Sequence, residues 1–497
     1  MDLWAKLYNK RKELPFAFLI GVFGHLVKLV TYLPSWDSMY GFHLGWHGMA
    51  AFGRWFSGIS GILLGSSADL QWVEGTVAIF FFALSILTIL EILDIQAPHI
   101  RILAIILFLF FPSISGTMVY MLWAAPYAFA YFLAVYALYL CVKGVAGPAR
   151  LVTAVLCVAF SCGIYQIYIT SAGIVFIYFL AKKLLNHSTI RSLLKTALIT
   201  GAVFSLGFLA YLVIQKIQLR VLDIQLSDYQ GIASVGEINL HVVSNAFEQL
   251  IKNLKAFYFG SKKLHVYFLL DAAILTVIFF TWVYVIFRQK PRFANAVVIV
   301  LLLALTPFLS YCLLFVTDGI HYHVLMEGGN YFVYIGFLML LDAFPPQRRR
   351  LSALGMVLIG LLCYYHFINN NIAYKQLEMS YQTTLYQSME VLNHINSVEE
   401  SAGIDNVAIC GSWKSENPFQ KATPQITGAK VDNFLRTTFH FCQFSSYYFG
   451  RSFTPAEADL QQAIMASEEF AQMDSYPYGD YVKVIDNTIV VKLDCEQ

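Results

Sequence analysis

The sequence predicts an α-helical polytopic membrane protein of about eleven transmembrane helices, closed by a small α/β domain at its C-terminus. Three observations carry this. Only 13% of the 497 residues are charged, against roughly 25% in an ordinary soluble domain, and 58% are hydrophobic. Apolar runs of spanning length recur as far as residue 369. Beyond that point the composition turns polar. The 41 Phe and 30 Tyr exclude a disordered chain, and a net charge of +2 is too small for a nucleic-acid binder.

The first span follows Lys6, Lys10, Arg11 and Lys12. No small-residue cleavage site comes after it, but Pro34-Ser35-Trp36-Asp37, so it reads as an uncleaved helix. Spans are expected near 15–33, 75–94, 102–118, 125–141, 151–163, 166–181, 196–216, 264–287, 293–316, 329–345 and 352–369, within a membrane domain of residues 1–370. The stretch 151–181 is short for two helices. Lys143 and Arg150 precede it and Lys182, Lys183, Arg191 and Lys195 follow it, so two helices return the chain to the same side. Taken over the whole chain, the inner segments hold 17 Lys and Arg, and the outer loops before residue 370 hold six. This asymmetry places the N-terminus in the cytoplasm and the C-terminal domain outside.

Two outer loops are long, 34–74 and 217–263. The second contains Leu240, Val243, Phe247, Leu250, Leu254 and Phe257 at spacings of three and four, with Glu248, Lys252 and Lys255 off the stripe. That pattern predicts a helix lying in the membrane interface. Residues 371–403 keep helical spacing and read as a linker to the domain 404–497. There, Asn406–Cys410 reads as a strand, Thr454-Pro455 as a helix start, and Tyr481–Leu493 as a hairpin turning at Asp486-Asn487. Phe439–Phe449 reads as core. The eight cysteines include no CxxC pair. A disulfide is open to Cys410, Cys442 and Cys495, and the other five lie in apolar runs.

The first outer loop is richest in chemistry. Asp37 stands just outside the first span, and Arg54 follows seventeen residues on, among Gly41, Gly45, Gly48 and Gly53. An acid at the membrane surface accepts a proton from a sugar hydroxyl. An Arg at that depth clamps a lipid phosphate with two parallel hydrogen bonds. The plainer alternative is that Asp37 caps a helix and Arg54 snorkels to the headgroups. His43 and His47 share a helix face. Metal ligation by this pair would need Asp37 as a third ligand, and no metal is expected. Tyr165 and Gln166 lie in an apolar run, and a buried Gln needs partners, either a sugar hydroxyl or a neighbouring helix. Asp228 and Tyr229 stand beside Gly231, as a turn or a sugar contact. His321, His323 and Glu327 either line an acceptor site or cap the adjoining spans. Trp and Tyr residues gather at the proposed outer ends as an aromatic belt.

Asp37 after the first span, Gly53-Arg54-Trp55, Gly163-Ile164-Tyr165-Gln166-Ile167-Tyr168, Ser227-Asp228-Tyr229-Gln230-Gly231 and the closing hairpin Val482–Leu493 follow one another in an order that resembles the bacterial serotype-converting glucosyltransferases of O-antigen and wall polysaccharides. The resemblance is scattered over nearly the whole chain, and each motif alone is weak. It departs at Ser38, where many members have a second acid beside the first.

The resemblance implies a GT-C membrane glycosyltransferase of the bacterial plasma membrane. Such an enzyme moves a sugar, glucose by family default, from a polyprenyl-phosphate donor to a surface polysaccharide or O-antigen on the outer face. Asp37 then becomes the general base, and Arg54, Arg220, Lys262 and Lys263 are the cations available to the departing phosphate. Tyr165, Gln166, Asp228, Tyr229, His43 and His47 become substrate contacts. Because the phosphate leaves as a mono- or dianion, no cofactor is required. Two other readings compete. A lipid or polysaccharide flippase calls for polar residues in mid-span and broken helices around a midplane site. A polymer ligase or acyltransferase keeps the surface chemistry and changes the donor.

Overall fold

The computed structural model describes residues 3–35, 37–38, 49–66, 70–143, 147–227, 229, 231, 240–260, 268–317, 320–344, 349–398, 403–413, 419, 428–429, 433–435 and 437–494. The chain divides into two compact units. The first holds Met1–Tyr32, Leu44–Ile372 and Pro424–Thr427. The second holds Leu33–His43, Ala373–Thr423 and Gly428–Gln497.

The first unit is a helix bundle. Its helices are α1 (Leu3–Asn9), α2 (Glu13–Gly24), α3 (Leu26–Val30), α4 (Ser57–Leu64), α5 (Gln71–Ile92), α6 (Pro98–Phe110), α7 (Pro112–Val119), α8 (Met121–Val142), α9 (Pro148–Ile164), α10 (Tyr168–Leu185), α11 (Ile190–Leu222), α12 (Leu240–Phe259), α13 (Phe268–Gln289), α14 (Phe293–Ser310) and α15 (Tyr331–Asp342). α16 (Arg349–Ser397) begins in this unit and ends in the second. Among the described residues, nine helical stretches are long and apolar enough to cross a membrane, and Glu13–Gly24 and Pro148–Ile164 are shorter apolar helices. Each expected span overlaps one of these. The protein is a membrane protein.

Proline sets several boundaries. Pro98, Pro112 and Pro148 open their helices, where a missing N–H costs nothing. Pro112 also breaks what would be one span, with Phe111 extended at φ −63°, ψ 142°. The break takes the helical partners from the carbonyls of Leu109 and Phe110. His25 Nε2 supplies the first at 2.8 Å, and Asn370 Nδ2 the second at 3.0 Å. Backbone groups in hydrocarbon need such partners. The hydroxyls of Ser85, Thr88, Thr117, Thr281 and Ser310 instead return to carbonyls four residues earlier in their own helices.

One end of the bundle is stitched by charge. Arg101, 1% exposed, meets Glu13 through Nε at 2.8 Å and Glu91 through Nη2 at 3.1 Å, and Lys10 reaches Glu91 at 2.8 Å. Two cations and two anions leave this network neutral. In the connection between Glu91 and Arg101, Asp94 pairs with Lys143 at 2.7 Å, the carbonyls of Leu93 and Asp94 accept from Lys182, and the N–H groups of Gln96 and Ala97 donate to Asp342. All of these residues lie at helix ends expected to face the cytoplasm.

The structure corrects some boundaries. The loop expected from 217 starts later, because α11 runs to Leu222 and carries Arg220 in its last turn. The helix expected at 240–257 is α12, but its buried face is set by Val242, Ala246, Leu250 and Phe257, whereas Phe247 is 46% exposed. The last span and the expected linker form one helix of 49 residues, α16. At 1.5 Å per residue it is roughly 73 Å long.

The second unit holds β1 (Asn406–Cys410), α17 (Thr438–Phe449), β2 (Thr454–Pro455), α18 (Ala458–Met465), α19 (Glu468–Ala471), β3 (Val482–Ile485) and β4 (Thr488–Lys492). The sheet order is β2-β1-β4-β3. β1 lies parallel to both β2 and β4, and β3 is antiparallel to β4. The hairpin turns at Asp486 and Asn487, both at positive φ, as their side chains tolerate. Thr454 does not start a helix as expected. It pairs with Asn406 as a strand, and the helix starts after Glu457. Phe441 and Phe444 of α17 pack with Val391 and Ile395 of α16 and with Ile409 and Val491 of the sheet. Cys442 is a free thiol in this core, and burial pushes it up to about 12. That removes it from the expected disulfide; Cys495 lies outside the described residues.

The Arg101 network gives a stability prediction. Arg101→Met takes Glu13's cation while Lys10 still meets Glu91, and is expected to cost about 3 kcal/mol. Thermal unfolding in detergent should show a clear drop in midpoint, partly restored by adding Glu13→Gln.

Candidate functional site

At the opposite helix ends, the segment Met49–Phe56 is fastened from several sides. Gly53 N–H bonds the Ala50 carbonyl at 3.0 Å and Arg54 N–H the Met49 carbonyl at 3.1 Å, with Gly53 left-handed at φ +71°. This pattern closes a helix C-terminus and leaves carbonyls in need of outside donors. Gln215 Nε2 bonds Ala50 at 2.6 Å, Ser227 N–H bonds Ala51 at 2.8 Å, and Gln166 Nε2 and Tyr211 Oη both donate to Gly53, at 2.9 and 3.0 Å. Gln166 Nε2 also reaches Tyr211 Oη at 2.8 Å. A Cβ at Gly53 would stand 2.8 Å from both the Gln166 nitrogen and the Tyr211 oxygen.

Glycine matters at one further position. Phe56 N–H bonds the Gly163 carbonyl at 2.7 Å, and a Cβ on Gly163 would sit 2.7 Å from the Trp55 indole. Bare backbone at Gly163 therefore lets Trp55 lie against α9.

Between these fastenings stands Arg54, partly exposed. Its Nη1 donates to Tyr127 Oη at 3.0 Å, and its guanidinium lies 4.6 Å over the Tyr165 ring. Tyr127 and Tyr165 stack at 4.7 Å and 11°. Tyr168 meets both edge-on. Contact with an aromatic face suits a planar guanidinium, which is more weakly hydrated than an ammonium.

Two more segments join this end. Tyr229, 45% exposed, packs edge-on against Phe52 at 5.5 Å, and Thr317 Oγ1 bonds the Gly231 carbonyl at 2.7 Å. Tyr322 stacks obliquely on Tyr311 at 4.8 Å. Burial pushes the Tyr322 phenol well above its ordinary range, with Cys312, Tyr165 and Glu327 adding to the rise. Tyr311 Oη donates to Glu327 at 3.1 Å and accepts from Asn330 at 2.9 Å. Glu327, 0% exposed, lies in the 3₁₀ segment Val324–Asn330. Asp271, 1% exposed, accepts from Tyr334 at 3.0 Å.

Among the residues singled out from sequence, the structure thus brings together Arg54, Tyr165, Gln166 and Tyr229. Arg220 is exposed in the last turn of α11. His43, His47, Asp228, Lys262 and Lys263 lie outside the described residues. Asp37 belongs to the second unit, is helical and partly buried. Ser38 beside it is 1% exposed and accepts the Ser35 N–H at 3.2 Å, which closes the turn. Sequence reasoning missed Tyr127, Tyr211, Gln215 and Asp271. Tyr211 and Gln215 carried a signal, two polar groups four apart in the apolar run that begins at Leu206. Tyr127 carried none, being one of 30 tyrosines.

The model of the family described as glucosyl transferase GtrII matches residues 28–341, more than half of the chain. The chain belongs to that glucosyltransferase family. It is therefore a glycosyltransferase enzyme of the membrane. No curated protein and no solved structure matches it. Three of the sequence motifs that carried the resemblance, around Arg54, Tyr165 and Tyr229, fall inside the match and meet at one end of the bundle. The closing hairpin falls outside it and lies in the second unit.

For this glucosyltransferase the fastening predicts two outcomes. Arg54→Lys keeps the charge but loses the flat stacking and the Tyr127 geometry, so kcat/KM should fall roughly ten- to a hundredfold with expression unchanged. Gly53→Ala should lower both the melting temperature and the activity, because the new Cβ displaces Gln166 and Tyr211. Activity and thermal-shift assays on purified variants check both.

Proposed function

We propose that this enzyme takes glucose from a polyprenyl-phosphate donor and places it on a surface polysaccharide or O-antigen, on the outer face of the bacterial plasma membrane, with a GT-C fold and with Asp37 as general base. The observation that carries the reading is the position of Arg54. It is held on two tyrosines at the bundle end opposite the Lys10–Glu91–Arg101–Glu13 network. The positive-inside bias assigns that network to the cytoplasm and Arg54 to the external leaflet, where a lipid-linked donor presents its phosphate.

The chemistry follows from charge. An acceptor hydroxyl attacks the anomeric carbon of glucose and passes its proton to the Asp37 carboxylate. The bond from that carbon to the phosphate oxygen breaks, the configuration inverts, and the polyprenyl phosphate gains negative charge. Cations that meet this growing charge lower the barrier more than they tighten donor binding. Arg54 is assigned that role, with Arg220, Lys262 and Lys263 as further cations of the outer loops. Tyr165, Gln166, Asp228, Tyr229, His43 and His47 are assigned to the substrates. The N-terminus is cytoplasmic and the C-terminal domain is extracytoplasmic.

The broken helices at His25 and Phe111 are one feature that a flippase would share. The carbonyls of Leu109 and Phe110 are already taken by His25 and Asn370, which leaves those two acceptors engaged within the protein. This favours transfer chemistry at the helix ends over passage through the bundle.

Purified protein in lipid nanodiscs should transfer radiolabelled glucose from polyprenyl-phosphate glucose with no nucleotide sugar present. Transfer from a nucleotide sugar alone would overturn the donor assignment. Asp37→Asn should reduce kcat by about 10²- to 10⁴-fold, the usual worth of a general base, with an unchanged melting temperature. Undiminished turnover in that variant would remove Asp37 from the role.

A further inference from the structure

The second unit carries a side-chain cluster that the transfer chemistry does not use. Tyr386, Glu390 and His394 are four residues apart on α16 and share one face. Tyr476 Oη donates to Glu390 Oε2 at 2.6 Å. The Tyr476 ring stands edge-on to Trp413 at 5.6 Å and to Tyr481 at 5.3 Å, and His394 lies 4.4 Å from Tyr481. Tyr386 is 66% exposed and Tyr478 is 77% exposed. Burial and the Glu390 carboxylate push the Tyr476 phenol up, and Tyr386 is close enough to add to the rise. The Tyr476 hydroxyl therefore stays a donor at any working pH.

The chemistry of the cluster narrows its ligand. Tyr386 and Tyr478 are exposed, Trp413 and Tyr476 are half-buried at the edge of the core, and aromatic rings left uncovered beside a polar group suit a ligand with apolar faces. A carboxylate among them accepts hydrogen bonds from hydroxyls. The loop holding Tyr476 and Tyr478 also carries Asp474 and Asp480, with Asp480 N–H bonded to Asp474 at 3.0 Å. Lys492, the nearby cation, is held by the carbonyls of Phe470, Ala471 and Met473. A polyanion would meet three carboxylates here. A neutral sugar offers flat C–H faces to the rings and hydroxyls to Glu390.

We infer that Glu390, the Tyr476 bonded to it, the Trp413 packed on that ring and the exposed Tyr386 one turn before Glu390 form a binding site for an uncharged glycan, the acceptor chain of the transfer. The name of acceptor rests on the proposed function; the site itself rests on the cluster. It lies wholly within the second unit and takes no part in bond making, so its residues act on acceptor capture alone.

The test uses full-length protein in nanodiscs and the delipidated surface polysaccharide of the cell that carries the gene, with heparin as a polyanionic probe. Calorimetry should show polysaccharide binding weakened at least tenfold in Trp413→Ala and in Glu390→Gln, and no heparin binding. Tyr386→Ala, at an exposed position that leaves folding alone, should weaken it in the same direction. In transfer assays the acceptor KM should rise by the same factor, with kcat at saturating acceptor and the donor KM unchanged. Wild-type affinity in all three variants, no polysaccharide binding by the parent protein, or competition by heparin would each overturn the site. If the variants lose polysaccharide and the parent protein transfers no sugar, the transferase donor reading falls and the site stands. If transfer proceeds with an unaltered acceptor KM in the variants, the site falls and that reading stands.

Discussion

One carbonyl oxygen organises the candidate site. Gly53 O receives both Gln166 Nε2 and Tyr211 Oη, which also bond each other, so three groups from three separate stretches of chain close a triangle. In hydrocarbon an unmet carbonyl is costly, and this one ends a helix that has no further N–H to give it. Satisfying it draws α11 and the turn before α10 onto the Gly53 segment. Arg54 is the next residue, so the geometry of its guanidinium follows from how its neighbour is held.

Charge divides the bundle between its two ends. The network of Lys10, Glu91, Arg101 and Glu13, with the Lys143–Asp94 pair, neutralises itself by ion pairing. The other end uses aromatic faces and phenols, as at Arg54 and Tyr165. A planar guanidinium stacks on aromatic faces, and Arg54 rests on the Tyr165 ring in this way. The first end fits a structural clamp, and the second fits a surface that meets an anionic headgroup.

Much of this was legible in the sequence, because hydrocarbon imposes a simple rule. Apolar length placed helices correctly, including the split at Tyr165 between α9 and α10, which the flanking lysines and arginines argued for. The hairpin at Asp486-Asn487 was equally plain, since few residues accept a left-handed turn. What failed was context. Thr454-Pro455 carries a good local signal for a helix start, yet pairing with Asn406 makes it a strand. The apolar stripe of α12 runs through Phe247 in the sequence, but burial follows Val242 and Ala246, because bundle contacts choose the face. For the site, Arg54, Tyr165, Gln166 and Tyr229 were named as separate candidates, and only the fold shows that they converge. Asp271 stands inside the expected span 264–287, and its bond to Tyr334 leaves no mark in the sequence.

The two ways in which polar side chains are satisfied within the bundle have a consequence for biogenesis. Ser85, Thr88, Thr117, Thr281 and Ser310 give their hydroxyls to their own helices, so each of those segments can enter the bilayer alone. His25, Gln166, Asn295 and Asn370 bond groups elsewhere in the chain and gain these partners only when helices dock. A half-assembled chain would show these four to lipid. They are the natural handles by which membrane chaperones and proteases would tell an unfinished copy from a finished one.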